Sequence, residues 1–459
     1  MTERYPSLLL VVALVAIALV TCTCEDPTGA ANASESAGRD TETSKDNIDV
    51  TDNGRDTTVA DTGSETNDTL APQSEGEEAR RSELPDLVPF PRLPFDGCFK
   101  EPQDNPFSDE DLRNPVLDQI RDDILTAEQN NTKQKFPIVL VPGYLGTDSM
   151  DLSFTEMDYW YGIVDALAEQ GYTQVYPADI DGVGYSSDGP IGDSVDKYER
   201  IQPVKPGYRG RSIQLKEVVE AVLAQTGASK VNLISHSQGA LTARWMITNL
   251  GMADKVENLI TLSGALRGVP LTEVALGETA LPAWMMGPVE KIMTAFLGGI
   301  TSSSEDANAH GSHVEMWPEY TINVFNPACP DMPGVRYFSF AGKLEDLGDT
   351  SFSPYLLSPF WAVHALYAME PFDVGPNDGL VPVASAMEPF DNSGWIYVGE
   401  IVGKKVLPGT GIESKLLGIY WGIDHGAFMN FPFGTTGLFH FDGLAFFVDL
   451  ARMLDAYSH

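Results

Sequence analysis

One short stretch of the chain has residue types in an order that suits nucleophilic chemistry: Lys230–Ala240, KVNLISHSQGA. Ser237 stands between His236 and Gln238, with Ser235 and Gly239 one position further out. A serine hydroxyl is a weak nucleophile until a base takes its proton and donors meet the oxyanion it generates. Upstream, Val231, Leu233 and Ile234 form an apolar run suited to a buried strand, and Ala240–Leu250 reads as a helix. A serine at the apex of such a strand–turn–helix unit is held in a strained backbone conformation, which needs small neighbours on both sides. Ser235 and Gly239 meet that need. The hydroxyl then projects above the sheet, and the N–H of Gln238 faces the same spot at a helix N-terminus. The alternative reading of the pentapeptide is a plain strand-to-helix loop that contains Ser and Gly.

A serine nucleophile requires a base and an acid. The chain has 7 histidines. His236 adjoins the nucleophile and points elsewhere, His310 and His313 lie in a Ser- and Gly-rich stretch, and His459 is terminal. His364, His425 and His440 remain as candidate bases. Asp378 sits in Pro376-Asn377-Asp378-Gly379-Leu380-Val381, a polar turn before an apolar run, and Asp373 is the fallback acid. Asn-Asp-Gly is also ordinary turn chemistry.

The elements that must position these groups read as alternating strands and helices. Lys135–Val141 is a first core strand that runs into Pro142-Gly143-Tyr144-Leu145-Gly146. Met157–Gln170 carries Tyr161, Val164, Leu167 and Ala168 at helical spacing, and Val175–Ile180 is a short strand. Gly210–Gln225 is amphipathic, with Ile213, Val218, Val219, Val222 and Leu223 as its inner face. Val256–Leu262 and Trp395–Glu400 are further strands. This alternation calls for a mostly parallel sheet covered by helices on both faces, with the active site beyond the carboxyl ends of the strands. Gly143–Gly146 and Ser237 both fall at strand carboxyl ends.

Strand plus PGYLG, then DYWYGIVDALAEQGY, then KVNLISHSQGALTARW, resembles the bacterial secreted triacylglycerol lipases, which are α/β-hydrolases. The resemblance runs from about Phe136 to His425 and is tighter in its first half. It implies an α/β-hydrolase fold with a helical lid and a triad in the chain order Ser, acid, His. NDGLV matches the acid motif of those lipases and selects Asp378; Asp424-His425-Gly426 matches their base position and puts His425 ahead of the fallback His440. It further implies that Tyr144 and Gln238 supply the two backbone N–H groups of the oxyanion hole, each such donor being worth ~3–4 kcal/mol. Arg209, in YRG, matches an arginine that braces the oxyanion loop; the alternative is a surface residue at a helix start. Pro142 replaces the usual His of that loop, a change that leaves backbone donors in place. Ala427 and Phe431 stand where those lipases carry calcium-binding Asp and Gln, so no calcium site and no cofactor are expected. Trp284, Met285, Met286, Val289, Ile292, Met293, Phe296, Leu297 and Ile300 resemble the lid by position, about residues 270–320. The competing reading is a core helix, since periodicity does not separate the two.

At the N-terminus, Leu8–Val20 is wholly apolar, short of the about 20 residues a membrane span wants, and fits a signal-peptide core. It ends in Leu19-Val20-Thr21-Cys22, which resembles a bacterial lipobox and makes Cys22 a candidate for lipidation, with Cys24 a weaker competitor. The alternative is an ordinary cleaved signal peptide or an uncleaved anchor. Residues 23–85 are Asp, Glu, Thr, Ser, Gly and Asn with almost no large apolar side chain, which predicts a disordered acidic tether. Residues 86–459 are expected to form one catalytic domain. The net charge of -37 excludes a nucleic-acid binder, which needs a basic footprint. Of the 4 cysteines, Cys98 and Cys329 lie outside the leader. In an exported protein this even pair points to a disulfide, the alternative being two free buried thiols.

The expectation is therefore an exported or surface-attached carboxylic ester hydrolase acting on acylglycerols at a lipid–water interface, with membrane attachment through a lipidated N-terminus. A polymer-ester depolymerase, an acyltransferase and a non-catalytic binding module on the same fold are the alternatives.

Overall fold

The computed structural model describes residues 115–130, 133–146, 149–151, 156–191, 207–279, 307–344, 359–368, 372, 374–387, 403–406, 413–421, 423–431 and 441–458. The leader with Cys22, the tether, Cys98, Asp373, His440, the expected strand Trp395–Glu400 and the apolar lid positions Trp284–Ile300 lie outside the described residues.

In chain order the main elements are α1 (Pro115–Gln129), β1 (Ile138–Val141), β2 (Ser149–Asp151), β3 (Glu156–Asp158), α2 (Ile163–Glu169), β4 (Val175–Pro177), α3 (Arg211–Thr226), β5 (Val231–His236), α4 (Gly239–Asn249), β6 (Val256–Leu262), α5 (Leu271–Ala275), α6 (Ala307–Glu315), β7 (Arg336–Lys343), α7 (Pro359–Tyr367), α8 (Val383–Ala386), β8 (Gly403–Val406), β9 (Glu413–Trp421) and α9 (Gly443–Tyr457). The main sheet runs β4-β1-β5-β6-β7-β9-β8. Every neighbouring pair in it is parallel except β8 with β9, which is antiparallel. β2 and β3 form a separate antiparallel pair.

Alternation along the strands divides the core. Ile138 and Leu140 of β1, Ile234 of β5, Ile260 and Leu262 of β6 and Phe338 and Phe340 of β7 pack with α2 and α9. Val139 and Val141, Val231 and Leu233, and Leu259 pack on the opposite face with Leu215, Val219 and Val222 of α3 and Met246 and Ile247 of α4. Strands buried on both faces are what crossover helices produce, and they explain why β1, IVLV, is an unbroken apolar run. The α/β class, the mostly parallel sheet and helices on both faces follow the sequence.

Local details differ. The helix expected over Met157–Gln170 is shorter, because Glu156–Asp158 pairs as β3 and Gly162 enters α2 at φ 70°. Its inner face is Ile163 and Leu167, while Tyr161 is 45% exposed. The strand at Val175 stops at Pro177, short of the expected Ile180, and Ala178 N–H makes the last bond to β1, to the Leu140 carbonyl at 2.8 Å. β7 was not anticipated, although VRYFSFAG alternates between two apolar sets and carries the signal of a strand.

Of the expected Cys98–Cys329 pair, only Cys329 lies among the described residues, and there it is a free thiol, fully buried. It belongs to an apolar cluster with Leu241, Tyr320 and Phe325, and Arg244 Nη2 donates to its carbonyl at 2.8 Å. It is used there as a small apolar side chain. Burial pushes its thiol up to about 11, so little thiolate forms at neutral pH. Iodoacetamide should leave Cys329 untouched in the native protein and alkylate it in denaturant without prior reduction, as read by peptide mapping. Alkylation only after reduction would restore the bridge.

Candidate active site

β5 delivers Ser237 and α4 carries the chain away from it. Ser237 has φ 53°, in the left-handed region, which a non-glycine residue enters at a cost of about 1–3 kcal/mol unless its surroundings hold it there. The surroundings do hold it. Its N–H donates to the Leu262 carbonyl at 3.1 Å, and its own carbonyl accepts from Ala240 at 3.1 Å and Ala265 at 3.2 Å. The small flanks have geometric reasons. A Cβ at Gly239 would sit 2.6 Å from the Pro142 carbonyl oxygen, and one at Gly143 would sit 2.8 Å from Ser237 Cβ. Ser235 is buried, its hydroxyl donating to the Ile260 carbonyl at 3.1 Å.

The expected acid and base are brought together. His425 Nδ1 lies 2.8 Å from Asp378 Oδ2, and His425 N–H donates to the Asp378 carbonyl at 2.9 Å. Asp378 Oδ1 accepts from Leu380 N–H at 2.9 Å and Val381 N–H at 2.7 Å. Those donors are the physical content of the turn NDGLV: the carboxylate is fully buried, yet both oxygens are engaged. With the hydrogen on Nδ1 directed at Asp378, Nε2 is the ring nitrogen left to act as a base. The His425 ring packs at a tilt of 44° against His236 with centroids 4.5 Å apart, which places it beside the residue preceding Ser237. Phe360 covers it edge-on at 5.7 Å. Of the other histidines, His364 bonds Asn377 Oδ1 at 2.9 Å and so props the acid's turn from below. His313, on α6, reaches the Tyr144 hydroxyl at 3.1 Å, and burial holds it neutral with a pKa lowered to about 3.

Tyr144 and Gln238 lie on the two segments that flank Ser237. The Gln238 N–H has no acceptor among the described residues, as befits the first turn of a helix. Its side chain is pinned, with Nε2 donating to the Gly184 carbonyl at 2.9 Å and to Glu315 Oε2 at 3.0 Å. Burial raises the Glu315 pKa, opposed by hydrogen bonds from Gln238 and Ser186. In the Tyr144 loop, Leu145 takes φ 60° and its N–H donates to the Gly182 carbonyl at 2.7 Å.

The arginine that braces this loop is Arg211, not Arg209. Arg211 Nη2 donates to the Pro142 carbonyl at 3.0 Å and the Gly143 carbonyl at 2.9 Å, and the residue is fully buried. Arg209 lies on the surface, paired with Glu217 and 51% exposed. The signal was present in the sequence. Arg211, Leu215, Val219 and Val222 share the buried face of α3, whereas Arg209 precedes the helix. The second group that sequence reasoning passed over is Tyr159, whose hydroxyl accepts from Gly143 N–H at 2.8 Å and meets His236 Nδ1 at 2.7 Å.

At the two positions expected to have lost calcium ligands, Ala427 is fully buried in a short helical turn and Phe431 packs against the core. Asp424 Oδ1 accepts from Ala427 N–H at 3.0 Å.

A serine on a strained turn at the end of β5 and an Asp–His pair on later loops of a mostly parallel sheet are the plan of an α/β-hydrolase. A family model described as the alpha/beta hydrolase fold matches residues 137–291. The fold is that of an α/β-hydrolase. The chain is 41% identical over 112 residues to a triacylglycerol lipase of Pseudarthrobacter phenanthrenivorans, a match covering 24% of this chain and 28% of that protein. A triacylglycerol lipase of Vibrio cholerae is 28% identical over 277 residues, covering 56% of this chain and 76% of that protein. Among solved structures, EstA from Clostridium botulinum is similar at 17% identity and TM-score 0.43, over 71% of this chain and 88% of that one. The chain thus spans only 28% of the length of the Pseudarthrobacter relative.

Arg211→Met should lower the thermal midpoint by several degrees, because two buried carbonyls lose hydrogen bonds worth about 1.5–3 kcal/mol each to a charged donor. Arg209→Ala should leave it unchanged. Equal midpoints for both variants in differential scanning calorimetry would show that Arg211 does not brace the loop.

Proposed function

We propose that this protein is a serine carboxylic ester hydrolase, a lipase acting on acylglycerols. The observation that carries the reading is the buried Asp378–His425 pair beside the strained Ser237 turn. The curated relatives named triacylglycerol lipase support the substrate class.

In this reading Ser237 Oγ attacks the ester carbonyl while His425 Nε2 takes its proton. Asp378 fixes the tautomer and stabilises the imidazolium that forms. The N–H groups of Tyr144 and Gln238 receive the oxyanion of the tetrahedral intermediate. His425 returns the proton to the departing alkoxide, so the alcohol leaves and an acyl-Ser237 ester remains. Water, deprotonated by His425, attacks that ester. The carboxylic acid is released, and the proton goes back to Ser237.

The reaction needs no metal or cofactor on this scheme, and EDTA should leave both activity and melting temperature unaltered. The apolar Leu8–Val20 segment and Cys22 support an exported protein tethered to a membrane through lipidation, close to its acylglycerol substrate.

Ser237→Ala should retain the fold and lose hydrolysis of p-nitrophenyl esters by at least about a thousandfold. Wild-type protein should be labelled by a fluorophosphonate at Ser237. A panel of esters, dissolved and emulsified, separates an acylglycerol lipase from a polymer-ester depolymerase, and product analysis with added alcohol acceptors separates it from an acyltransferase. Unlabelled, inert wild-type protein would leave a non-catalytic module.

A further inference from the structure

The geometry points to Tyr159 and His236 as positioning residues that lock the oxyanion-donating loop to the loop carrying His425. The inference rests on the ester-hydrolase reading above and assigns the work of two residues which that mechanism does not use.

Four groups from separate parts of the chain form a continuous buried line. Gly143 N–H donates to Tyr159 Oη at 2.8 Å, Tyr159 Oη meets His236 Nδ1 at 2.7 Å, and His236 Nε2 meets the His425 carbonyl at 3.0 Å. The proton positions follow from the partners. A carbonyl only accepts, so His236 Nε2 carries a hydrogen. Burial and the neighbouring His425 lower the His236 pKa, so the ring is neutral and Nδ1 is a lone pair. Tyr159 is buried and its pKa is raised, so it keeps its proton and donates it to Nδ1. Each group then has one role: amide to phenol, phenol to imidazole, imidazole to carbonyl.

The line joins what the chemistry must keep in register. Gly143 precedes Tyr144, His236 precedes Ser237, and the terminal acceptor belongs to the backbone of His425. Ring contacts stiffen it. The His236 ring lies tilted against His425 at 4.5 Å, and the Trp160 ring meets His236 edge-on at 6.5 Å. Tyr159, His236 and His425 are at most 4% exposed, so no water competes for these bonds. A misplacement of about 1 Å between nucleophile, base and oxyanion donors costs on the order of a hundredfold in rate. The competing account is a buried histidine satisfied only for core stability.

Two variants cut the line at the bond they share, Tyr159 Oη to His236 Nδ1. Tyr159→Phe keeps the ring and removes the hydroxyl. His236→Gln retains an N–H near the Nε2 position and loses the Nδ1 acceptor. In each, kcat on a dissolved short-chain p-nitrophenyl ester should fall about tenfold to a hundredfold, with KM within about twofold. Affinity for a trifluoromethyl ketone, which adds to the serine as a transition-state analogue, should fall in the same proportion. Since both variants break one link, the double variant should be no slower than the slower single. Variants that melt lower but keep kcat and analogue affinity would overturn the inference, as would losses that simply add. Wild-type protein inert to esters and fluorophosphonate would sink this inference together with the ester-hydrolase reading. Active wild type with unaffected variants sinks this inference alone.

Discussion

A serine does not rest at φ 53° without being held there. What holds Ser237 is the convergence of β5, β6 and the loop after β1 on a point with no room for a side chain on either flank. The Leu262 carbonyl of β6 takes its N–H, the loop's Pro142 carbonyl closes over Gly239, and Gly143 abuts the serine's own Cβ. The strain is local. The support is the sheet, whose strands bury both faces and therefore cannot yield to relieve one turn. The same convergence sets the Tyr144 and Gln238 segments beside Ser237, because the Pro142 carbonyl that crowds Gly239 belongs to the loop that carries Tyr144.

Around that point the chain buries charge and dipole and satisfies them with backbone. Asp378 takes two amides and the His425 ring. Arg211 gives two bonds to loop carbonyls, and Glu315 receives the Ser186 amide, the Ser186 hydroxyl and the Gln238 side chain. In a low-dielectric interior such groups are costly if left unpaired and stiff when paired. Apart from the two amides of Asp378's own turn, the pairing runs between segments far apart in sequence, so each of those bonds fixes one segment relative to another. In the ester-hydrolase reading proposed above, that is the form preorganisation takes: the donors and the base need not be reoriented when charge develops.

His236 illustrates why a residue next to a nucleophile need not face the substrate. The turn at Ser237 throws the serine side chain up and turns its predecessor back into the protein, between Tyr159 and the His425 carbonyl. Its neutral, doubly bonded ring ties three loops with one side chain. α6 adds a second tie from the other side, through His313 to Tyr144 and through Glu315 to Gln238.

The sequence by itself determined the strand–turn–helix around Ser237, the α/β alternation and the turn chemistry of Asn377-Asp378-Gly379, because each is a property of neighbouring residues: period, size and backbone preference. It also ordered the candidate acid and base, through a motif that a resemblance made specific. What only the tertiary structure decided is which of two nearby arginines turns inward, where His236 finds its partners and whether Cys329 has one. Arg209 and Arg211 differ by two positions and by nothing in chemistry; the buried face of α3 selects Arg211. Counting cysteines on the expectation of export favours a bridge, yet the packing between α4 and the segment after α6 uses Cys329 as a small apolar filler. Spacing fixes what a residue can do. The long-range contacts that satisfy buried polar groups decide what it does, because their partners lie tens to hundreds of residues away, as the 189 residues between His236 and His425 attest.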